Sequence, residues 1–142
     1  MISVQGAVFP LEKLLNMAKT AMQQAYVPYS NFPVGSALIT KNGNVYSGCN
    51  VENASYGLTC CAERVAIFKA VTEGNRDIKA LAVIGNTELP CSPCGACRQV
   101  MYEFNPDMEV YIANKDGDYV KTYAGELLPA QFDSRMLNQE SE

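Results

Sequence analysis

Three cysteines and one glutamate are the residues whose types and spacing could do chemistry. Cys61 and Glu63 stand in Thr59-Cys60-Cys61-Ala62-Glu63-Arg64, and Cys94 and Cys97 stand in Pro93-Cys94-Gly95-Ala96-Cys97. Three thiolates can hold one zinc ion per chain and leave its fourth position to water, the pattern of a catalytic rather than a structural site. A carboxylate two residues beyond the first ligand can move that water's protons. Zinc brings the pKa of a bound water to about 7. Three thiolates donate more charge than three imidazoles and blunt that effect, so a carboxylate base is needed. The chain has no histidine, so no imidazole can serve as ligand or base at neutral pH. Zinc with three thiolates is negatively charged; Arg64 is the nearest cation in sequence and is assigned to balance it, with Arg98 a weaker candidate.

Competing readings of the cysteines are tested by spacing. A lone C-x-x-C is a weak signal. Cys91-Ser92-Pro93-Cys94 is a second one, which raises an iron–sulfur cluster, but the bacterial ferredoxin run needs a further Cys-Pro where this chain has Met101-Tyr102. A structural zinc module would need a fourth ligand from Cys60 or Cys91. Neighbouring helical residues point about 100° apart, so Cys60 and Cys61 should not both ligate one ion. Cys61 is preferred because Glu63 follows at the right distance. Cys60 is expected to be a packed thiol, Cys49 a core residue rather than a ligand, and Cys91 an ordinary small residue of the loop. Standing alone, Glu63 would be only a first-turn glutamate favouring a helix dipole.

The elements that must position these groups follow from patterning. Leu11, Leu14, Leu15 and Ala18 predict a helix over 11–24. Two prolines and Asn31 predict an irregular loop over 27–33. Asn42-Gly43 between 36–40 and 45–49 predicts a hairpin. A loop over 50–58 leads to a helix over 62–71, with apolar Ala62, Val65, Ala66 and Phe68. The apolar run 80–84 is a strand. Pro93 suits a helix start, so a helix over 93–103 would carry Cys94 and Cys97 on one face of its first turn. Strands over 108–113 and 119–122 and a short helix over 125–128 complete the chain. Strands alternating with helices predict a layered α/β domain with a mixed sheet.

Composition sets the remaining bounds. A chain of 142 residues suits a single domain, 1–142. Hydrophobic residues make up 48%, which opposes disorder, and 11 basic against 15 acidic residues give a net charge of −4 with no basic cluster. Nucleic-acid binding is therefore not expected, nor is a membrane span. The N-terminus lacks the charged region of a signal peptide, and a cytoplasmic location is expected, where thiols stay reduced.

These motifs resemble the cytidine deaminases of the small, homotetrameric type. The likeness extends to Pro28-Tyr29-Ser30-Asn31-Phe32-Pro33-Val34-Gly35, to Gly48-Cys49-Asn50-Val51-Glu52-Asn53-Ala54-Ser55-Tyr56 and to Leu127-Leu128-Pro129-Ala130-Gln131-Phe132. Zinc nucleobase deaminases combine a Cys₃ or His/Cys₂ site with a non-ligand glutamate. The resemblance implies a three-layer α/β/α fold with a mixed five-stranded sheet. It implies zinc at Cys61, Cys94 and Cys97, proton transfer by Glu63, and hydrolytic deamination of cytidine and 2′-deoxycytidine in pyrimidine salvage. Asn50 and Glu52 would bind the ribose 3′-hydroxyl, and Ala54 would offer its N–H to the base O2. Phe32 would pack on the pyrimidine. Val51, Asn53, Ser55 and Tyr56 would complete the substrate pocket with Phe132 of a neighbouring subunit, so that active sites are shared within a homotetramer. From the residues alone, Phe32 and Phe132 would be core, Asn50 and Asn53 would make Asx turns, and Glu52 would be solvated surface. A deaminase acting on blasticidin S is the nearest rival.

Overall fold

The computed structural model describes residues 1–138. A hairpin, β1 (Ile2–Val4) and β2 (Ala7–Phe9), precedes helix α1 (Leu11–Met22). Strands β3 (Val34–Thr40) and β4 (Val45–Cys49) form the second hairpin, followed by a 3₁₀ turn at Tyr56–Leu58 and helix α2 (Ala62–Thr72). Then come β5 (Ile78–Gly85), α3 (Gly95–Phe104), β6 (Glu109–Ala113), β7 (Tyr119–Tyr123) and the short α4 (Ser134–Asn138). Five strands make one mixed sheet in the order β4-β3-β5-β6-β7. Only the β5–β6 pair is parallel, and α3 is its crossover.

Strand alternation sends side chains to two faces, and each face carries its own core. On one, Ala37, Ile39, Ala80, Ala82 and Ile84 meet Leu11, Leu14 and Ala18 of α1 and Ile2 and Val4 of β1. On the other, Leu38, Leu81, Val83 and Val110 meet Ala66, Ile67 and Ala70 of α2 and Cys97 and Met101 of α3. The layers are therefore α/β/α, as expected. Close approach sets where α2 lies: a Cβ on Gly48 of β4 would sit 2.7 Å from the Ala66 nitrogen and 2.9 Å from the Ala62 carbonyl oxygen. The absence of a side chain there lets the helix that carries Glu63 settle directly on the sheet.

Several local expectations need correction. Helix α3 begins at Gly95; Cys94 is its N-cap in extended conformation, and Pro93 lies before the cap. The 125–128 segment is a hydrogen-bonded turn rather than a helix, closed by Gly125 N–H to Pro106 and Leu127 N–H to Tyr123. Phe68 is 44% exposed, on the solvent side of α2. The β1–β2 hairpin turns at Gln5 and Gly6, both at positive φ. Such turns favour Asn or Asp before Gly, so Gln5 hid it from patterning. Of the expected domain 1–142, residues 139–142 lie outside the described residues.

Candidate active site

Two helix N-termini converge on the cysteines. Cys61 is the N-cap of α2, Cys94 the N-cap of α3, and Cys97 sits in the first turn of α3. Their sulfurs lie within 4.8 Å of one another, with 3.7 Å between Cys61 Sγ and Cys94 Sγ. Zinc–thiolate bonds of about 2.3 Å in a tetrahedron place sulfurs about 3.8 Å apart, so this donor set fits zinc by spacing as well as by type. Unpaired N–H groups and dipoles at both helix starts favour thiolate over thiol. Cys60, Cys91 and Cys49 stand outside the trio and are partly buried free thiols. Burial pushes the Cys91 thiol up to about 11, as suits a packed side chain.

The electrostatics point the same way. The nearby Cys97 thiol holds the Cys61 thiol down at about 5, against burial and with help from Arg64 and Cys94, while the same pairing and burial keep Cys97 far above its ordinary value. Arg64 Nη2 donates to Cys61 Sγ at 3.4 Å, the charge-balancing contact expected of it. Its Nε is buried without a hydrogen-bond partner. Three clustered sulfurs beside an arginine are a ready receptor for a dication, whose binding would displace thiol protons.

Glu63 occupies the first turn of α2 and is 4% exposed. Burial, reinforced by the neighbouring Cys61 charge, pushes its carboxyl up to about 7. A group poised there can both accept and return a proton near neutrality. Arg98, the weaker candidate for balancing thiolate charge, instead bonds the Pro93 and Leu127 carbonyls and the Ser92 hydroxyl.

Of the expected substrate residues, Glu52 and Tyr56 line one cavity, and Asn50 and Glu52 bond to the loop that holds Phe32. Glu52 Oε1 accepts the N–H groups of Tyr29 at 3.0 Å and Ser30 at 3.1 Å, and Oε2 accepts the Ser30 hydroxyl. Those bonds hold the Glu52 carboxyl below its ordinary range, the Ser30 hydroxyl contributing most. Asn50 donates to the Phe32 carbonyl at 2.8 Å and accepts the Val34 N–H at 2.9 Å. Both side chains therefore strap the 27–33 loop. Asn53 accepts the Ser55 N–H in an Asx turn. Val51 bridges Tyr26 and Cys60 through backbone. Tyr29, Ser30, Glu52, Tyr56 and Thr59 line a cavity of about 360 Å³. Ala54 and Ser55 are exposed. Phe32, Tyr56 and Phe132 are 45%, 76% and 55% exposed, so none is core. Sequence reading missed Tyr29, Ser30 and Thr59 as lining residues; Glu52 meets Tyr29 and Ser30 across 23 and 22 positions of chain that no local pattern spans. A larger cleft of about 750 Å³ runs along α1 to Ser47, away from the cysteines and Glu63.

Comparison with known proteins matches this geometry to a family. Residues 10–114 match the model of the cytidine and deoxycytidylate deaminase zinc-binding region. Cytidine deaminase from Sporosarcina psychrophila is 53% identical over 133 residues, 93% of this chain and 98% of that one. A crystal structure of cytidine deaminase from Burkholderia pseudomallei superposes with a TM-score of 0.85 at 53% identity, covering 87% of this chain and all of that one. Blasticidin-S deaminase from Bacillus cereus is more distant, 33% identical over 107 residues, 70% of this chain and 76% of that one.

Proposed function

The chain belongs to the cytidine and deoxycytidylate deaminase family, and from that premise we propose that it hydrolyses cytidine and 2′-deoxycytidine to uridine and 2′-deoxyuridine. One C–N bond breaks at C4, one C–O bond forms, and ammonia leaves. The observation that carries this reading is a buried carboxyl two residues from one of three clustered thiols.

Zinc, held by Cys61, Cys94 and Cys97, supplies a Lewis acid that lowers the pKa of water. The chain's own residues do the rest. Glu63 takes one proton from the attacking water and delivers it to N3 of the ring, then takes the second from the new C4 hydroxyl and hands it to the departing amino group. Its burial keeps bulk water from short-circuiting these transfers. Arg64 donates to Cys61 Sγ and helps balance the charge of the sulfur cluster. Asn50 and Glu52 offer oxygen acceptors suited to a sugar hydroxyl, Ala54 an exposed N–H to the base, and Phe32 a flat apolar face. Val51, Asn53, Ser55 and Tyr56 complete the rim. An anionic rim without a basic track favours nucleosides over nucleotides and polynucleotides.

The exposure of Phe32, Tyr56 and Phe132 supports a site closed by neighbouring copies in a homotetramer, with Phe132 crossing between subunits. Six free cysteines suit a reducing, cytoplasmic setting, and the twin cores on one sheet suit a single domain. Among the described residues no helix is long and apolar enough to cross a membrane. A role in pyrimidine salvage follows from the proposed products.

The test is ammonia release from cytidine, deoxycytidine, cytidine monophosphate, free cytosine and blasticidin S, with native mass measurement alongside. The two nucleosides should be turned over fastest, by particles of four chains. Preference for blasticidin S or for the nucleotide would overturn the substrate assignment, and active monomers would overturn the shared site.

A further inference from the structure

Arg98 directly follows Cys97, and each of its three guanidinium nitrogens donates a hydrogen bond. Nε donates to the Pro93 carbonyl at 2.9 Å, Nη2 to the Ser92 hydroxyl at 2.9 Å, and Nη1 to the Leu127 carbonyl at 3.2 Å. It takes part in no salt bridge among the described residues. Its charge is spent on neutral acceptors, at a place where the chain has few bonds of its own.

The place matters because Cys94 is not inside the helix. It is an extended N-cap with no side-chain capping bond, preceded by Pro93, which has no N–H to give. The loop that delivers this sulfur is tied by the Cys91 N–H to the Ala113 carbonyl at one end and by the Arg98 backbone N–H to the Cys94 carbonyl at the other. Between them, the Arg98 side chain grips both Ser92 and Pro93. Its third bond reaches across 29 residues to Leu127, in the turn that leads to Phe132. The next residue, Gln99, donates to the Phe132 carbonyl at 2.8 Å. The start of α3 thus binds the metal-side loop and the C-terminal turn to each other.

We propose that Arg98 is a positioning residue that fixes the Cys94 sulfur for zinc by clamping the Ser92–Pro93 loop against the Leu127 carbonyl. The proposal rests on the metal reading of the three cysteines. A planar fork with three directed donors can span these acceptors, whereas a lysine ammonium cannot hold all three in that geometry.

The experiment loads the full chain with zinc and follows its release to the chromophoric chelator 4-(2-pyridylazo)resorcinol, at a temperature where circular dichroism shows every variant folded. Arg98→Ala should release zinc at least about tenfold faster, within the range typical for residues that support metal ligands. Arg98→Lys should restore less than half of that loss. Ser92→Ala, which removes one of the three acceptors, should release zinc about threefold faster. Gln99→Ala loosens only the Phe132 backbone and should release zinc at the parent rate. Release from Arg98→Ala at the parent rate would overturn the clamp, as would equal acceleration by Gln99→Ala, which would indicate general loosening of α3. If Arg98→Ala does not fold, an unchanged rate in Ser92→Ala overturns it instead. A parent chain that takes up no zinc defeats the metal reading itself, whereas zinc held equally by all variants defeats only the clamp.

Discussion

Replacing Glu63 by glutamine removes a proton carrier while keeping shape, and the surroundings show how far the rate must fall. The side chain is 4% exposed, so solvent cannot readily take over. The other nearby groups are poor substitutes. Cys61, Cys94 and Cys97 are committed to the metal, and Glu52 is engaged by Tyr29 and Ser30. Cys91, pushed up to about 11, is almost wholly protonated at neutral pH. General acid–base catalysis contributes about 10²–10⁴. Without an understudy the loss should lie near the upper end, about 5 kcal/mol in barrier height. Because Glu63 lies outside the sulfur cluster, Glu63→Gln should still bind about one zinc per chain, equal to its parent. The assay is single-turnover conversion of cytidine, with metal content measured on the same sample. Retention of more than about a tenth of the parent rate would refute the proton-transfer role. Loss of zinc would instead make Glu63 a ligand.

Other perturbations probe the frame around the site. A Cβ on Gly35 would lie 1.9 Å from the Ala18 carbonyl oxygen and 2.7 Å from the Met22 nitrogen. Gly35→Ala must therefore push α1 off the sheet and should cost about 3 kcal/mol or more in urea unfolding; a loss under about 0.5 kcal/mol would contradict that packing. Arg64→Gln removes the donor to Cys61 and should weaken zinc affinity about 10–100-fold by competition with a chelator, with unchanged affinity as the contrary result. Burial pushes the Glu109 carboxyl up, but Tyr111 at 2.6 Å, Lys79 at 3.1 Å and Lys121 at 3.8 Å outweigh it and hold the group below its ordinary 4.5. A lowered folded value means that this stabilisation is present above the unfolded value and lost as pH falls through the folded one. Thermal melts should show Glu109→Gln less stable than its parent at pH 7 and the difference shrinking by pH 3; a constant difference would contradict the linkage.

What was legible in the chain was what local rules encode. The heptad-like leucines put α1 within two residues of its observed end, and Asn42-Gly43 marked the β3–β4 turn. The expected Cys61, Cys94 and Cys97 trio is the cluster observed, although Cys94 serves as a cap rather than a helical residue. Proline before a helix is compatible with either position, so Pro93 alone could not set the start. What stayed hidden depends on contacts between distant segments. Glu52 reaches back 22 and 23 positions to Ser30 and Tyr29, and Arg98 reaches forward 29 to Leu127. A polar residue looks the same in sequence whether it faces substrate, solvent or a backbone carbonyl. The exposed aromatic rings show the opposite limit: Phe32 and Phe132 look like core until the fold leaves them outside.

The most direct test of the central claim is metal titration of activity. Protein stripped by chelator under reducing conditions should release no ammonia from cytidine. Stepwise zinc addition should restore turnover in proportion to zinc bound, saturating at one equivalent per chain. Full activity in the stripped protein, or one bound zinc with no deamination, would contradict it.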